Sequence, residues 1–310
     1  MTPRRIHIDT DPGLDDLLAL ALAFASPELS VEGVTTVAGN AALPIVTDNA
    51  RRFCALARSD VPIGVGASAP LALTPIDAAH FHGKDGRRGA PLPEVAPAEL
   101  APARDVLRHS LVSRRVESVI ALGPLTNVAT LAAENPALFA DAEVVWMGGT
   151  LTAGNVTAKA EYNAFADPRA LRILLASGVR LRIVGLEVTT RVHFAGEELA
   201  ARDLGDSPRG RMLAGVFRGL CDAERAHGGV SRAVLHDPCA VAAALAPELF
   251  AFTPRALEVV DREGAERGRI RARGAAPESA VEYALDVRAA DVGGLFMERI
   301  SRWAHADGAP

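Results

Sequence analysis

The sequence predicts one α/β domain, residues 1–310, built on a mostly parallel, doubly wound (Rossmann-like) central sheet, with extra helices in the C-terminal third. Three observations support this. Short β-rich runs alternate with helical apolar patterns from end to end. No repeat or low-complexity linker divides the chain. Apolar residues make up 49% of it, enough to fill one large core.

In chain order, a strand at residues 5–8 leads into a helix at 15–24, and a strand at 31–37 into a helix at 44–57. A strand at 61–65 precedes a long loop and a helix at 103–114. Strand 118–122, helix 125–133, strand 143–147, helix 168–177 and strand 181–186 continue the rhythm. Two late strands are expected at 256–260 and 282–287. The loop 74–97 is rich in Pro, Gly, His and charge and is too long for a plain connection, which suits a lid or a disordered segment. A shorter polar loop covers 150–160.

Bulk properties exclude several classes. The net charge is −5 and no long basic block occurs, so nucleic acid is a poor partner. Lys84 and Lys159 are the only lysines; with the abundant alanine, this reads as coding bias. Cys54, Cys221 and Cys239 fit neither a metal site nor a disulfide framework, which suits a reducing compartment. The chain enters its first strand without a signal peptide, and the apolar run 17–25 is too short to span a bilayer. The expectation is a soluble cytoplasmic protein with no membrane partner.

The chemistry is concentrated in Asp9-Thr10-Asp11-Pro12-Gly13-Leu14-Asp15-Asp16, four carboxylates in eight residues after the first strand. Such acids repel one another unless a cation or a ring of donors sits among them. In an open α/β sheet, ligands bind beyond the carboxyl ends of the strands, where Asp9 and Asp11 fall. Successive helical residues point roughly 100° apart, so Asp15 and Asp16 are expected to divide the work, one on a metal and one on a ligand. Helix capping explains Asp15 or Asp16 alone, but not Asp9 and Asp11. An EF-hand is a worse fit, because Pro12 breaks the loop and Leu20 stands where the bidentate acid belongs. Gly64-Val65-Gly66 mimics a dinucleotide fingerprint, but Pro70 and Pro75 leave no helix start behind it.

This stretch resembles the N-terminal signature of the nucleoside hydrolases of the inosine-uridine preferring type. The resemblance continues, in family order, through Val37-Ala38-Gly39-Asn40, Gly123-Pro124-Leu125-Thr126-Asn127, Gly154-Asn155 with Glu161-Tyr162-Asn163-Ala164-Phe165, and His236-Asp237-Pro238. It implies a Ca²⁺ ion held by Asp11, Asp16, Asp237 and the Thr126 carbonyl, completed by a water and the 2′- and 3′-hydroxyls of a ribonucleoside. Asp11 would take the proton of that water, and Asp15 would bind the ribose diol. Asp9 has no assigned role beyond orienting its neighbours.

By the same resemblance, Asn155 and Glu161 would hold the 5′-hydroxyl, Asn163 and Asn40 the diol, and Met147 would line the ribose pocket. Amides and carboxylates suit hydroxyls, which both donate and accept. His236 would be the general acid for the leaving base and His82 a base contact. His80 and His109 read as ordinary surface or core histidines. The family's usual tyrosines before the His-Asp-Pro motif are absent, and Arg225 and His227 are the candidates to replace them as base-facing donors. A homodimer or homotetramer would follow the family's habit. The competing readings are a metal-dependent phosphohydrolase and a non-catalytic ribose- or nucleoside-binding protein.

Overall fold

A computed structural model describes residues 2–275 and 281–306. Its strands are β1 (Arg4–Thr10), β2 (Leu29–Thr36), β3 (Ile63–Val65), β4 (Ala101–Pro102), β5 (Ser118–Ala121), β6 (Glu143–Met147), β7 (Leu181–Val184), β8 (His193–Ala195), β9 (Arg232–Val234), β10 (Phe250–Val259), β11 (Ile270–Ala275) and β12 (Val281–Val287). Ten of them form one sheet in the order β11-β10-β12-β7-β6-β5-β1-β2-β3-β4, and β8 pairs with β9 apart from it. From β4 to β12 every neighbouring pair is parallel; β10 alone runs antiparallel to its neighbours. The doubly wound expectation is met.

Strand alternation builds the two faces. Ile6 and Ile8 of β1, Ile120 of β5, and Val145 and Met147 of β6 point into one apolar cluster. Val119, Ala121, Val144 and Trp146 point into the other. Successive strand residues face opposite sides, and both sides are covered. The helix Leu14–Ala25 is buried on nearly every side, as its almost uninterrupted apolar sequence requires. It packs against the helices Pro208–Gly228, His236–Leu245 and Ala289–His305, which account for the helical character of the last third.

The same alternation places His7 and Asp9 on the face opposite Ile6 and Ile8. His7 is fully buried, with Nδ1 2.9 Å from Ser110 Oγ and Nε2 2.9 Å from Thr35 Oγ1. Thr35 donates to Asp9 Oδ1 at 2.5 Å, and Asn127 Nδ2 donates to the same oxygen at 2.8 Å. A polar chain thus ties β1, β2 and the helices Ala103–Val112 and Thr126–Glu134 together beneath the sheet's carboxyl edge.

Several segments differ from expectation. β10 begins at Phe250 and runs through Pro254. Pairing with β11 starts only at Arg255, so no hydrogen bond on that side needs the N–H that proline lacks. β11 was not foreseen, and neither was the pairing of β8 with β9, which joins segments far apart in sequence. β7 stops at Val184, because Gly185 opens the short helix Leu186–Thr189. The loop 74–97 is pinned to the body: Asn49 donates to the Asp85 carbonyl at 2.9 Å, and Arg52 pairs with Glu94 at 2.7 Å. No helix among the described residues is long and apolar enough to cross a membrane.

Burial pushes the His7 pKa from 6.5 down to about 3. The unfolded chain therefore binds a proton that the native state refuses. This contribution is complete above pH 6.5 and is lost as pH falls toward 3. Between those limits one such histidine steepens the loss of stability by about 1.4 kcal/mol per pH unit. Urea unfolding from pH 7 to pH 5 should show a shallower slope for His7→Gln than for the wild type; equal slopes would refute the assignment.

Candidate active site

The sheet changes winding direction between β1 and β5. β2, β3 and β4 follow outward on one side of β1, and β5, β6 and β7 on the other. A doubly wound sheet opens its ligand crevice at such a point, at the carboxyl ends of the strands. There β1 runs into Asp11-Pro12-Gly13, and the helix Leu14–Ala25 begins.

Asp16 sits on the first turn of that helix inside a shell of donors. Its Oδ1 accepts from Thr10 Oγ1 (2.5 Å) and Asp11 N (3.2 Å). Its Oδ2 accepts from Gly13 N (2.9 Å) and Asn40 Nδ2 (2.8 Å). Asp237, on the first turn of the helix His236–Leu245, comes up beside Asp16. Oxygens of Asp15, Asp16 and Asp237 all lie within 4.8 Å of one another. Burial, then the charge of Asp16, pushes the Asp15 carboxyl up to about 8. Burial, then Asp15, drives Asp237 well above the carboxylate range. Asp15 Oδ1 is buried without a hydrogen-bond partner. Three convergent carboxyl groups, one with an orphan oxygen, are the donor set of a hard divalent cation.

Of the acids expected on the metal, Asp16 and Asp237 fall in this trio, together with Asp15, which was expected on the ribose diol. Adjacent helical residues can meet one point here because Asp237 arrives from a second helix end. Asp11 is 1% exposed and stands close enough to Asp15, Asp16 and Asp237 for their charges to act on one another. Its Oδ2 accepts from Asn40 N at 2.7 Å, and its Oδ1 is an orphan. Burial, then Asp16, raises its pKa well above the usual value. Thr126 is outside the lining of the pocket: its hydroxyl donates to Asp167 at 2.7 Å, and its carbonyl accepts from Thr130 at 2.7 Å along the helix. The carbonyl bordering the pocket is that of Leu122, which accepts from Asn163 Nδ2 at 2.7 Å.

Above the acids lies a cavity of about 360 Å³. Asp15, Asp237, Asn40, Asn163, Glu161, Met147, Asn155, His82 and His236 all line it. Both amide hydrogens of Asn40 are taken, by the Asp11 carbonyl and Asp16. Those of Asn163 go to the carbonyls of Leu122 and Met147. Each amide therefore has only its oxygen left for a ligand. Buried Glu161 accepts from the backbone of Gly149, Asn163 and Ala164 at 2.7, 2.8 and 3.0 Å, so it also caps the helix Tyr162–Ala166. Asn155 stands exposed at the rim and accepts from Tyr162 N at 2.9 Å. Tyr162, which carried no expected role, donates its hydroxyl to the Gly39 carbonyl at 2.7 Å and clamps the two polar loops together.

The mouth carries the imidazoles. Leu14 N–H donates to His82 Nδ1 at 3.1 Å, so the ring's own proton is on Nε2; burial pushes its pKa down to about 3. His236 Nδ1 lies 2.8 Å from Thr189 Oγ1, and burial, then Arg232, lowers its pKa to about 4. His80, expected to be ordinary, lines the pocket, with its ring 5.4 Å from that of His227; Phe81 is 5.5 Å from His227. His227 reaches the pocket and Arg225 does not: Arg225 pairs with Asp222 and Ser231. Arg88 fixes the turn beneath these rings, donating from its backbone N to the His82 carbonyl and from its guanidinium to the carbonyls of Phe81 and His80.

The model of the inosine-uridine preferring nucleoside hydrolases matches residues 6–293. The chain belongs to this family. It is 39% identical over 254 residues to the pyrimidine-specific ribonucleoside hydrolase RihA of Photobacterium profundum, covering 80% of this chain and 82% of that one. It is 37% identical over 253 residues to the non-specific ribonucleoside hydrolase RihC of Klebsiella pneumoniae, covering 80% and 81%. Among solved structures, a purine-preferring ribonucleoside hydrolase from Gardnerella vaginalis superimposes with a TM-score of 0.90 at 30% identity, covering 98% of this chain and 100% of that one. A plant nucleoside hydrolase gives 0.87 at 30%, covering 96% and 99%.

Close packing around Asp11 leaves no room for a methyl group. A Cβ at Gly39 would lie 2.1 Å from Asp11 Oδ2 and 2.9 Å from Pro124 Cδ, whereas one at Gly294 meets nothing within 4 Å. Gly39→Ala should lower the urea-unfolding free energy by about 1–3 kcal/mol. Gly294→Ala, in a helix, should raise it by about 0.5–1 kcal/mol. Equal effects would contradict this packing.

Proposed function

We propose that this protein hydrolyses the N-glycosidic bond of ribonucleosides with water, releasing ribose and the free base, and that a calcium ion assists. The observation that carries this reading is the convergence of Asp15, Asp16 and Asp237 at the floor of a cavity walled by amides, a carboxylate and imidazoles. The donors are all oxygen, and calcium accepts six to eight such ligands in loose geometry. A bound calcium ion would offset the repulsion among the acids, grip the 2′,3′-diol and acidify a water molecule.

The chain's own groups supply the rest. Asp11 keeps one oxygen without a partner and has a raised pKa, both suited to accepting a proton from the attacking water. The carboxylates favour the positive charge that grows on the ribose in an oxocarbenium-like transition state. The free oxygens of Asn40 and Asn163 accept from sugar hydroxyls, and Glu161 with Asn155 sits where a 5′-hydroxyl would be received. The departing base gathers negative charge. His236 faces it as a neutral ring held by Thr189, donating a hydrogen bond from Nε2, and His82 contributes its Nε2–H.

Calcium should raise the thermal midpoint of the wild type, because a ligand at 100 times its Kd adds about 2.7 kcal/mol of stability. Asp237→Asn should lose that shift together with nucleoside turnover. A chelator that leaves both stability and reducing-sugar release unchanged would remove the metal from the mechanism.

His236→Ala should slow inosine or uridine by about 100-fold or more and 4-nitrophenyl riboside, whose leaving group needs no help, far less. Equal losses would end the leaving-group role. Uridine should exceed 2′-deoxyuridine in kcat/KM by at least about 100-fold, because a missing hydroxyl strands buried partners.

A further inference from the structure

The loop that carries Asn155 and leads into Glu161 is fastened from outside the cavity. Glu187, on the short helix Leu186–Thr189, is outside the lining of the pocket, yet its carboxylate gathers a whole turn of that loop. Its Oε1 accepts from Thr150 Oγ1 and Leu151 N at 2.8 Å, Thr152 Oγ1 at 3.0 Å and Thr152 N at 3.1 Å. Its Oε2 accepts from the buried Tyr283 hydroxyl of β12 at 2.6 Å. The backbone adds to this seam. Leu186 N donates to the Gly149 carbonyl at 3.1 Å, and Gly149 N donates to Glu161 Oε2 at 2.7 Å. Gly149 therefore links the seam directly to Glu161. Beyond Thr152 the loop turns back on itself, with Val156 N bonded to the Ala160 carbonyl at 3.2 Å. Lys159 meets Glu266 at 3.0 Å in a partly exposed ion pair, which adds little.

We propose that Glu187 is a positioning residue for the sugar, holding Glu161 and Asn155 where the 5′-hydroxyl of a ribonucleoside is received. The proposal rests on the hydrolase reading. A carboxylate suits this post because it offers four lone-pair sites and no donor, and here it faces donors alone. A glutamine would leave one oxygen to serve them and add an NH2 of its own, so loop donors would lose their partner. Burial opposes charge at Glu187, but the hydrogen bonds, that of Tyr283 foremost, outweigh it and hold the carboxyl below its usual range. Glu187 reaches a substrate only through the loop, which separates its role from catalysis. Thr189, on the same helix, meets His236, so one short element braces both the sugar loop and the leaving-group histidine.

The sequence supplies its own probe, because Lys84 and Lys159 are the only lysines and both are exposed. A lysine-specific protease therefore has two sites on the folded full chain. Cleavage after Lys159 needs the loop to open, since Ala160 is fully buried, and its rate reports the open population. Glu187→Gln should speed that cut by about 10-fold or more and leave the cut after Lys84 unchanged. Thr152→Val, which removes one hydroxyl from the same carboxylate, should speed it by a smaller factor, and it carries the test if Glu187→Gln folds poorly. Equal acceleration at both lysines, or none at Lys159, overturns the proposal. The second readout is kcat/KM of the calcium-loaded chain on uridine against 5′-deoxyuridine. Glu187→Gln should lower the uridine value by about 10-fold or more and the 5′-deoxyuridine value far less, since a misplaced loop costs only the substrate that uses it. Equal losses on the two substrates overturn the sugar role. A wild type that turns over neither overturns the hydrolase reading, and the sugar role with it, while the two cuts still decide whether Glu187 holds the loop.

Discussion

Mutual repulsion of buried carboxylates is the constraint around which this molecule is arranged. Asp11, Asp15, Asp16 and Asp237 crowd into one water-poor corner, and three of them are driven toward protonation by burial and by one another. Such a group survives folding only if donors or a cation share the corner. Part of the answer is visible in protein atoms: Thr10, Asn40 and two backbone amides clothe Asp16, and Asn40 adds a backbone N–H to Asp11. The remaining orphan oxygens belong to Asp11 and Asp15, where the proposed chemistry needs an unsatisfied acceptor.

Topology supplies these donors from remote parts of the chain. The turn after β1, the Asn40 loop after β2, the Leu122 end of β5 and the first turn of the helix His236–Leu245 all open toward the same side of the sheet. Winding outward in both directions from β1 and β5 leaves a gap between the diverging connections. Glycines at 39 and 123 let backbone approach Asp11 closely enough to seal it from below. The floor is thus buried and close-packed, while the mouth is built from a short helix, a helix end and an edge strand.

Much of this was legible in the sequence, and the reasons for the exceptions are physical. Periodicity exposed the parallel core because each strand there is local and apolar, and β6 and the helix Pro168–Ser177 appear with the expected bounds. β8 and β9 are short and lie far apart along the chain, and β11 is polar, so no local pattern marks them. At the site, motif spacing picked out nearly every lining residue on the floor. Strand alternation could have placed Asp9 with His7, on the face away from the helix Leu14–Ala25, where it serves the Thr35 and Asn127 network. The mouth was the least legible part. His80, Glu224 and Arg232 meet only through tertiary packing, and Tyr162 acts through a backbone carbonyl 123 residues away.

The grip of Arg88 on three successive carbonyls separates two demands that proteins usually have to meet with the same atoms. The path of the main chain at 80–82 is held from behind, by a residue outside the cavity lining. The side chains on the other side of that segment are thereby freed to diversify. A lineage can exchange one ring for another there and acquire a taste for a different leaving group, while the scaffold that presents them stays where it was.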